Sequence, residues 1–418
     1  MILGIDASRA IKKEKTGVEW YSFFLLRAME KLTPPGWKVR CYVPSLPPTP
    51  HPNPLPHGDR EIKESPPPLM GGVRGGWHHD EGNWEWKILK WIGRGWTQGR
   101  LSLEMMKSPP DVLFVPSHTI PLIHPERTIT TVHDVVFLAH PELYDPDDLA
   151  DQKRGLEFAL NFAKKIIVPS KATREDVVKA GAKEGQVVVV PHGVDMAISN
   201  SLVAISKSNS QLPIANSKYI LFIGRIEKKK NVLGLIHAFR RLIDSRDANN
   251  ESSANLRISN SQIRKFGSDS QFAPLKLVLA GSLGYGSEDI LQAIKTFKLE
   301  NHVVHLGWVD RASYHALLMS ASALILPSFG EGFGLPVLEA MAVGIPVIAS
   351  DISALREVGG NAVQFVNPYD SQSIAQGIQT VLQNEMLQSE MIKKGKERAR
   401  EYSWDKTARE TWNVICPR

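Results

Sequence analysis

The sequence predicts an α/β protein built from two doubly wound, Rossmann-like domains that face a central cleft. Three observations predict it. At 418 residues the chain is too long for one ordinary hydrophobic core. Short β-branched runs alternate with helical stretches in two successive series, the pattern of doubly wound sheets. Runs such as Val187-Val188-Val189-Val190 are apolar on both faces, as parallel strands covered by helices are.

The first series places strands at Ile2 to Asp6, Lys38 to Val43, Asp111 to Pro116, Thr128 to His133, Lys165 to Pro169 and Gln186 to Pro191. The second places them at Tyr219 to Gly224, Leu275 to Gly281, Val303 to Gly307, Ala323 to Pro327, Pro346 to Ser350 and Ala362 to Val366. Helical patterns fill the gaps, for example Val232 to Leu242, Arg311 to Met319 and Val337 to Ala342. The resulting division is a first domain over residues 1–195, a linker over 196–217 and a second domain over 218–399. Three stretches interrupt the pattern: Pro44 to about Gly82, rich in Pro and Gly, and the Ser- and Asn-rich segments Ala197 to Ser217 and Ser245 to Phe272. They read as insertions in surface loops, with a recognition arm as the alternative. Trp77, Trp84, Trp86, Trp91 and Trp96 crowd together with Lys87, Lys90, Arg94 and Arg100. That composition reads as a basic amphipathic helix, packed on the parent sheet by its aromatic side or lying on an anionic bilayer.

Composition narrows the classes further. A hydrophobic fraction of 42% and a charged fraction of 22% are those of a globular protein, and no apolar run reaches the ~20 residues of a membrane helix. The net charge of +6 is spread along the chain without a basic stripe, which argues against nucleic acid and suits an anionic small molecule or a membrane surface. Two cysteines, Cys41 and Cys416, build neither a disulfide framework nor a zinc site. Asp6 comes too early for a signal-peptide apolar region, so the expected location is the cytoplasm, with peripheral contact on the inner face of the membrane as an addition.

The strongest chemical signal is the segment Phe329-Gly330-Glu331-Gly332-Phe333-Gly334-Leu335-Pro336-Val337-Leu338-Glu339. It follows the apolar strand from Ala323 and runs into a helix with Pro336 near its first position. Strand, glycine loop and helix start make an anion site, with the N–H groups of Val337 and Leu338 and the positive dipole end expected to face a diphosphate. Gly332 and Gly334 admit close backbone approach. Glu331 and Glu339 would repel a phosphate, so hydroxyls of a sugar and a ribose are their expected partners, the alternative being a loop cap and a helix-start carboxylate. Gly224-Arg225 with Lys230-Asn231 closes another strand: Arg225 and Lys230 suit phosphate oxygens and Asn231 suits a helix N-cap. His133 closes a strand of the first domain, where it can donate to a sugar hydroxyl, or else be a structural ring satisfied by Asp134. Gly17, after the first strand, admits a phosphate or an acceptor. Gly281-Ser282-Leu283-Gly284-Tyr285-Gly286 lacks the G-x-G-x-x-G order, which argues against an oxidoreductase.

Taken in order, Gly17, His133-Asp134 with Pro141-Glu142, Val168-Pro169-Ser170, Pro191-His192-Gly193-Val194-Asp195, Gly224-Arg225, Lys230-Asn231 and Glu331 to Ala342 resemble the retaining GT-B glycosyltransferases of family 4. The resemblance covers nearly the whole chain apart from the insertions. It implies a GT-B fold and a nucleotide-sugar donor held mainly by the second domain. Arg225 and Lys230 would lie on its diphosphate, Glu339 on the ribose, and Glu331, Gly332, Phe333 and Gly334 at the sugar, with Leu335 among the donor-binding residues. His133 would reach the transferred sugar from the first domain, and the leaving phosphate would take the acceptor's proton. The resemblance also implies that no metal and no cofactor are needed, and that residues 400–418 form a last helix crossing back to the first domain. His192 departs from the Asn that relatives commonly carry there. The implied activity is transfer of a hexose, mannose from GDP-mannose favoured over glucose from UDP-glucose, to a glycan or lipid-linked acceptor in cell-surface polysaccharide synthesis. The competing readings are a non-catalytic nucleotide-sugar-binding subunit and an epimerase or phosphorylase of similar fold.

Overall fold

The computed structural model describes residues 1–45, 82–91, 95–195, 218–258 and 275–417, with side chains described only to residue 245 in the fourth of these. Strands β1 (Ile2–Asp6), β2 (Lys38–Val43), β3 (Trp84–Ile88), β4 (Val112–Val115), β5 (Thr128–Thr131), β6 (Lys165–Val168) and β7 (Val187–Val189) form one sheet in the order β3-β2-β1-β4-β5-β6-β7. Strands β8 (Tyr219–Ile223), β9 (Lys276–Ala280), β10 (Val303–Gly307), β11 (Ala323–Leu326), β12 (Val347–Ser350) and β13 (Val363–Val366) form a second, ordered β10-β9-β8-β11-β12-β13. Every neighbouring pair in both sheets is parallel. In each sheet the strand order reverses once, between β1 and β4 and between β8 and β11. The crevice outside the carboxyl ends at such a reversal is where α/β sheets receive ligands.

Helices α1 (Gly17–Lys31), α2 (Ser102–Lys107), α3 (Val136–Ala139), α4 (Pro146–Phe162) and α5 (Lys171–Lys179) accompany the first sheet. Helices α6 (Val232–Ile258), α7 (Ser287–Thr296), α8 (Arg311–Ser320), α9 (Leu335–Val343), α10 (Ser353–Gly359), α11 (Ser371–Gln383) and α12 (Glu385–Ala399) accompany the second. Helix α13 (Trp404–Ile415) returns to the first lobe, where Trp412 donates its indole N–H to the Met29 carbonyl at 3.2 Å and Ala408, Trp412 and Ile415 join the core around Leu25 and Met29. The chain thus crosses between lobes twice. The start of the first crossing lies beside the second, with Val194 bridged to Ser403.

Each strand read from the sequence forms, shortened by at most two residues at an end. Two expectations are corrected. The Trp-rich stretch contains no helix at Trp84 to Ile88; it is the edge strand β3, paired with β2. Trp-Glu-Trp-Lys-Ile alternates with period two, which suits a pleat, and Trp84 is buried with its indole N–H on Thr33 Oγ1 at 2.7 Å. Trp77 and Arg94 lie outside the described residues. The second correction concerns Ser245 to Phe272: α6 runs on to Ile258, because neither Gly nor Pro interrupts the chain between Leu235 and Phe266. The rest of that insertion, most of the Pro-rich one and the segment Ala197 to Ser217 lie outside the described residues.

Candidate active site

The reversal points of the two sheets face each other across a cavity of about 320 Å³. On the first lobe, the loop after β1 ends in a capping box at α1, in which Glu19 accepts from the Thr16 N–H at 3.2 Å and from its hydroxyl. Burial would raise the Glu19 carboxyl, but the Thr16 hydrogen bond together with Lys12 at 3.0 Å and Arg9 at 3.1 Å outweighs it and holds the group near about 2. This anchoring fixes Gly17 and Trp20 on the cavity wall, and a Cβ at Gly17 would meet open space.

His133 borders the same cavity, but not in the role of hydroxyl donor expected of it. Its Nε2 lies 3.1 Å from the Pro116 carbonyl, which only accepts, so that nitrogen carries the proton and Nδ1 is left as an acceptor. Burial lowers its pKa from 6.5 to about 4, so the ring is neutral at ordinary pH. The unfolded chain therefore binds a proton that the folded chain refuses. The stability tied to this ring is complete above about pH 6.5 and is lost as pH falls towards 4, at a cost of about 2 kcal/mol at pH 5. In urea unfolding, His133→Gln is expected to lose less stability between pH 7 and pH 5 than wild type. Equal losses would remove the assignment.

On the second lobe, Lys228–Lys230 form a single 3₁₀ turn and Asn231 takes a left-handed conformation (φ 54°). Asn231 is buried, and its side-chain amide donates to Pro327 O at 3.1 Å and Pro368 O at 2.7 Å. It therefore stitches the ends of two strand loops together and fixes the backbone that presents Lys230. Lys230 Nζ lies 2.6 Å from Glu331 Oε1, which also accepts from Ser328 Oγ at 2.7 Å. Arg225 borders the cavity half-exposed, its Nε 3.5 Å from Glu227. Glu339, buried at the first turns of α9, is shared by Arg311 at 2.7 Å and the Tyr314 hydroxyl. Arg311 in turn lies 5.0 Å over the Trp20 ring of the first lobe. Arg311 and Tyr314 were not found by sequence reasoning.

The glycine loop is where the lobes meet. A Cβ on Gly332 would stand 1.7 Å from the His133 carbonyl oxygen, so only glycine fits. The Gly332 carbonyl accepts from Ser170 Oγ at 2.7 Å and Thr173 Oγ1 at 3.0 Å of the first lobe. Lys229 reaches Asp134 at 3.3 Å, and Glu357 accepts from the Lys171 amide at 2.8 Å, at the start of α5. Burial alone would raise the Asp134 carboxyl, yet Lys229 and Lys230 bring it below the usual range. Gly334 enters α9 with φ +100°, again open to glycine. Here one expectation fails: the N–H groups of Val337 and Leu338 are not free, since both donate to the Gly334 carbonyl, at 3.0 and 3.2 Å, and both residues are core. The residues from Gly332 to Pro336 border the cavity instead. Phe333 is buried, its ring 4.9 Å from His192.

Two facing parallel sheets with this cleft define the GT-B class of fold. Residues 16–198 match the model described as Glycosyltransferase Family 4, and residues 205–398 the model described as Glycosyl transferases group 1. The chain belongs to this glycosyltransferase family. It is 27% identical to O-antigen chain mannosyltransferase B of Escherichia coli over 295 residues, 69% of this chain and 70% of that one. It is 28% identical to the phosphatidyl-myo-inositol mannosyltransferase of Mycobacterium tuberculosis over 236 residues, 54% of this chain and 53% of that one. Among solved structures, sucrose-phosphate synthase from Thermosynechococcus elongatus superposes with a TM-score of 0.68 at 18% identity, covering 99% of this chain and 98% of that one. Anabaena HepE in complex with UDP-glucose superposes with a TM-score of 0.66 at 16% identity, with the same coverage.

Proposed function

We propose that the chain transfers a hexose from a nucleoside-diphosphate sugar to a glycan or lipid-linked acceptor, with retention and without a metal ion or other cofactor. The observation that carries this reading is the Lys230–Glu331 pair set into the glycine loop at the closure of the two lobes. A nucleoside diphosphate is a good leaving group, so fixed positive charge where negative charge develops serves catalysis more than a proton donor does. Lys230, Arg225 and the backbone of Gly332 to Leu335 supply it. Glu331 and His133 Nδ1 accept from sugar hydroxyls, and Glu339 serves the ribose once Arg311 and Tyr314 give way to it. The two mannosyltransferase relatives favour mannose, and with it the GDP-mannose donor that the resemblance implies.

A lipid-linked acceptor fits one surface. Leu103 and Met106 of α2 and Leu122 and Ile123 are 43 to 62% exposed, and the Ile123 amide lies 3.4 Å from Ser102 Oγ, which joins the two segments beside exposed Lys107. Among the described residues no helix is long and apolar enough to cross a membrane.

Thermal-shift measurement with GDP, UDP, GDP-mannose and UDP-glucose tests the reading. GDP and GDP-mannose are expected to raise the melting temperature by a few degrees at millimolar concentration. Stabilisation by the uridine compounds alone would replace the donor, and stabilisation by none would overturn the reading.

A further inference from the structure

His192 sits on the first crossing between the lobes and borders the cavity. It is 4% exposed, yet neither ring nitrogen meets a hydrogen-bonding group among the described residues. Its neighbours are rings: Tyr21 at 4.5 Å, Phe333 at 4.9 Å, His133 at 5.5 Å and Trp404 at 6.3 Å. The backbone holds it there, because a Cβ on Gly193 would stand 2.2 Å from the Trp404 amide nitrogen and the Pro191 carbonyl is bound by Thr407 Oγ1 at 2.8 Å. Burial, and then the neighbouring His133, keep the ring's pKa well below its ordinary value, so it offers one neutral donor and one neutral acceptor. A buried polar group with both functions unspent needs an explanation; both nitrogens are covered as the ring stands, so a ligand in the bordering cavity spends them once the ring turns toward it. A phosphate calls for charge. A ring of aromatic faces around a neutral donor and acceptor suits a sugar hydroxyl.

We propose that His192 hydrogen-bonds a hydroxyl of the transferred hexose and so discriminates among donor sugars, a role that rests on the donor reading given above. It shares the sugar with Phe333 of the glycine loop and with His133, and it leaves the diphosphate to Lys230 and Arg225.

Two substitutions test it. His192→Phe keeps a ring and removes both polar functions; His192→Asn restores one donor and one acceptor. Wild type and both variants are titrated by calorimetry with GDP, GDP-mannose, UDP and UDP-glucose, and acceptor-free hydrolysis of each nucleotide sugar is followed. Binding of the bare nucleoside diphosphate is expected to stay within about twofold in both variants. The nucleotide sugar is expected to bind roughly tenfold more weakly to His192→Phe, with most of the loss recovered in His192→Asn. A purely structural role predicts the opposite division: a lowered melting temperature and equal loss for nucleotide and nucleotide sugar. Without ligand, His192→Phe is expected to melt at or above wild type, since no hydrogen bond of the protein is lost. A His192→Phe protein that keeps the wild-type ratio of nucleotide-sugar to nucleotide affinity overturns the proposal. A wild type that binds neither nucleoside diphosphate overturns the donor reading, and this proposal with it.

Discussion

Lys230→Ala is expected to weaken binding of the nucleoside diphosphate roughly 30- to 100-fold, the loss of a charge-assisted contact to phosphate. The Lys230 ammonium is held 2.6 Å from Glu331, so a diphosphate competes with a carboxylate for it. The two partners therefore respond in opposite directions. Glu331→Ala frees the lysine, and nucleotide affinity is expected to hold or rise while transfer falls by roughly 10³-fold. The melting temperature should move by only a few degrees, because Lys230 borders the cavity and the freed ammonium can turn into it. Calorimetry with GDP and UDP, beside an assay of sugar transfer, separates the two effects. Equal affinity in Lys230→Ala and wild type would remove lysine from the phosphate, and undiminished turnover in Glu331→Ala would remove the carboxylate from the sugar.

Gly332→Ala is expected to divide binding from turnover even more sharply. Its Cβ would fall 1.7 Å from the His133 oxygen and 3.0 Å from Asp134 Cβ, and the first of these is backbone that cannot step aside. The lobes could then not approach as they do here, while Arg225 and Lys230 would keep their places on the second lobe. Nucleotide affinity is expected to stay within a few-fold and transfer to fall at least roughly 100-fold, since displacing a reacting group by an ångström costs that much. Small-angle scattering should show a wider particle than wild type in the presence of nucleotide. A variant with normal turnover would show that this contact is not part of the working conformation.

Local features carried most of what was legible. Strand ends, the glycine loop and its proline-led helix stand in one continuous stretch, and a doubly wound sheet brings every such loop to the same edge, so Arg225, Lys230, Glu331 and His133 converge on one cavity without any knowledge of distance. Long-range pairing was not legible. Arg311 and Tyr314 stand 28 and 25 positions before Glu339, and no periodicity announces that they share its carboxylate. Hydrogen-bond direction was hidden too: His133 reads as a donor to a ligand until the Pro116 carbonyl, 17 positions earlier, is seen to accept its only N–H. At β3 the composition of tryptophans and lysines points to a helix, whereas their period-two alternation points to the strand that forms. The amides of Val337 and Leu338 are taken up because the helix begins at Leu335, two residues before the start the sequence suggests, so both already donate to the carbonyl of its N-cap, Gly334.

Helix α13 follows the entire second lobe in the chain yet completes the core of the first, where Trp412 meets Trp37 edge to face at 5.8 Å and donates to the Met29 carbonyl, 383 positions away. Translation therefore delivers the early lobe unfinished. Until some 200 further residues have emerged, the side of that nascent lobe around Leu25 and Met29 stays open to water, a natural landing place for chaperones, and its final consolidation waits on the slowest kind of encounter, one between distant segments.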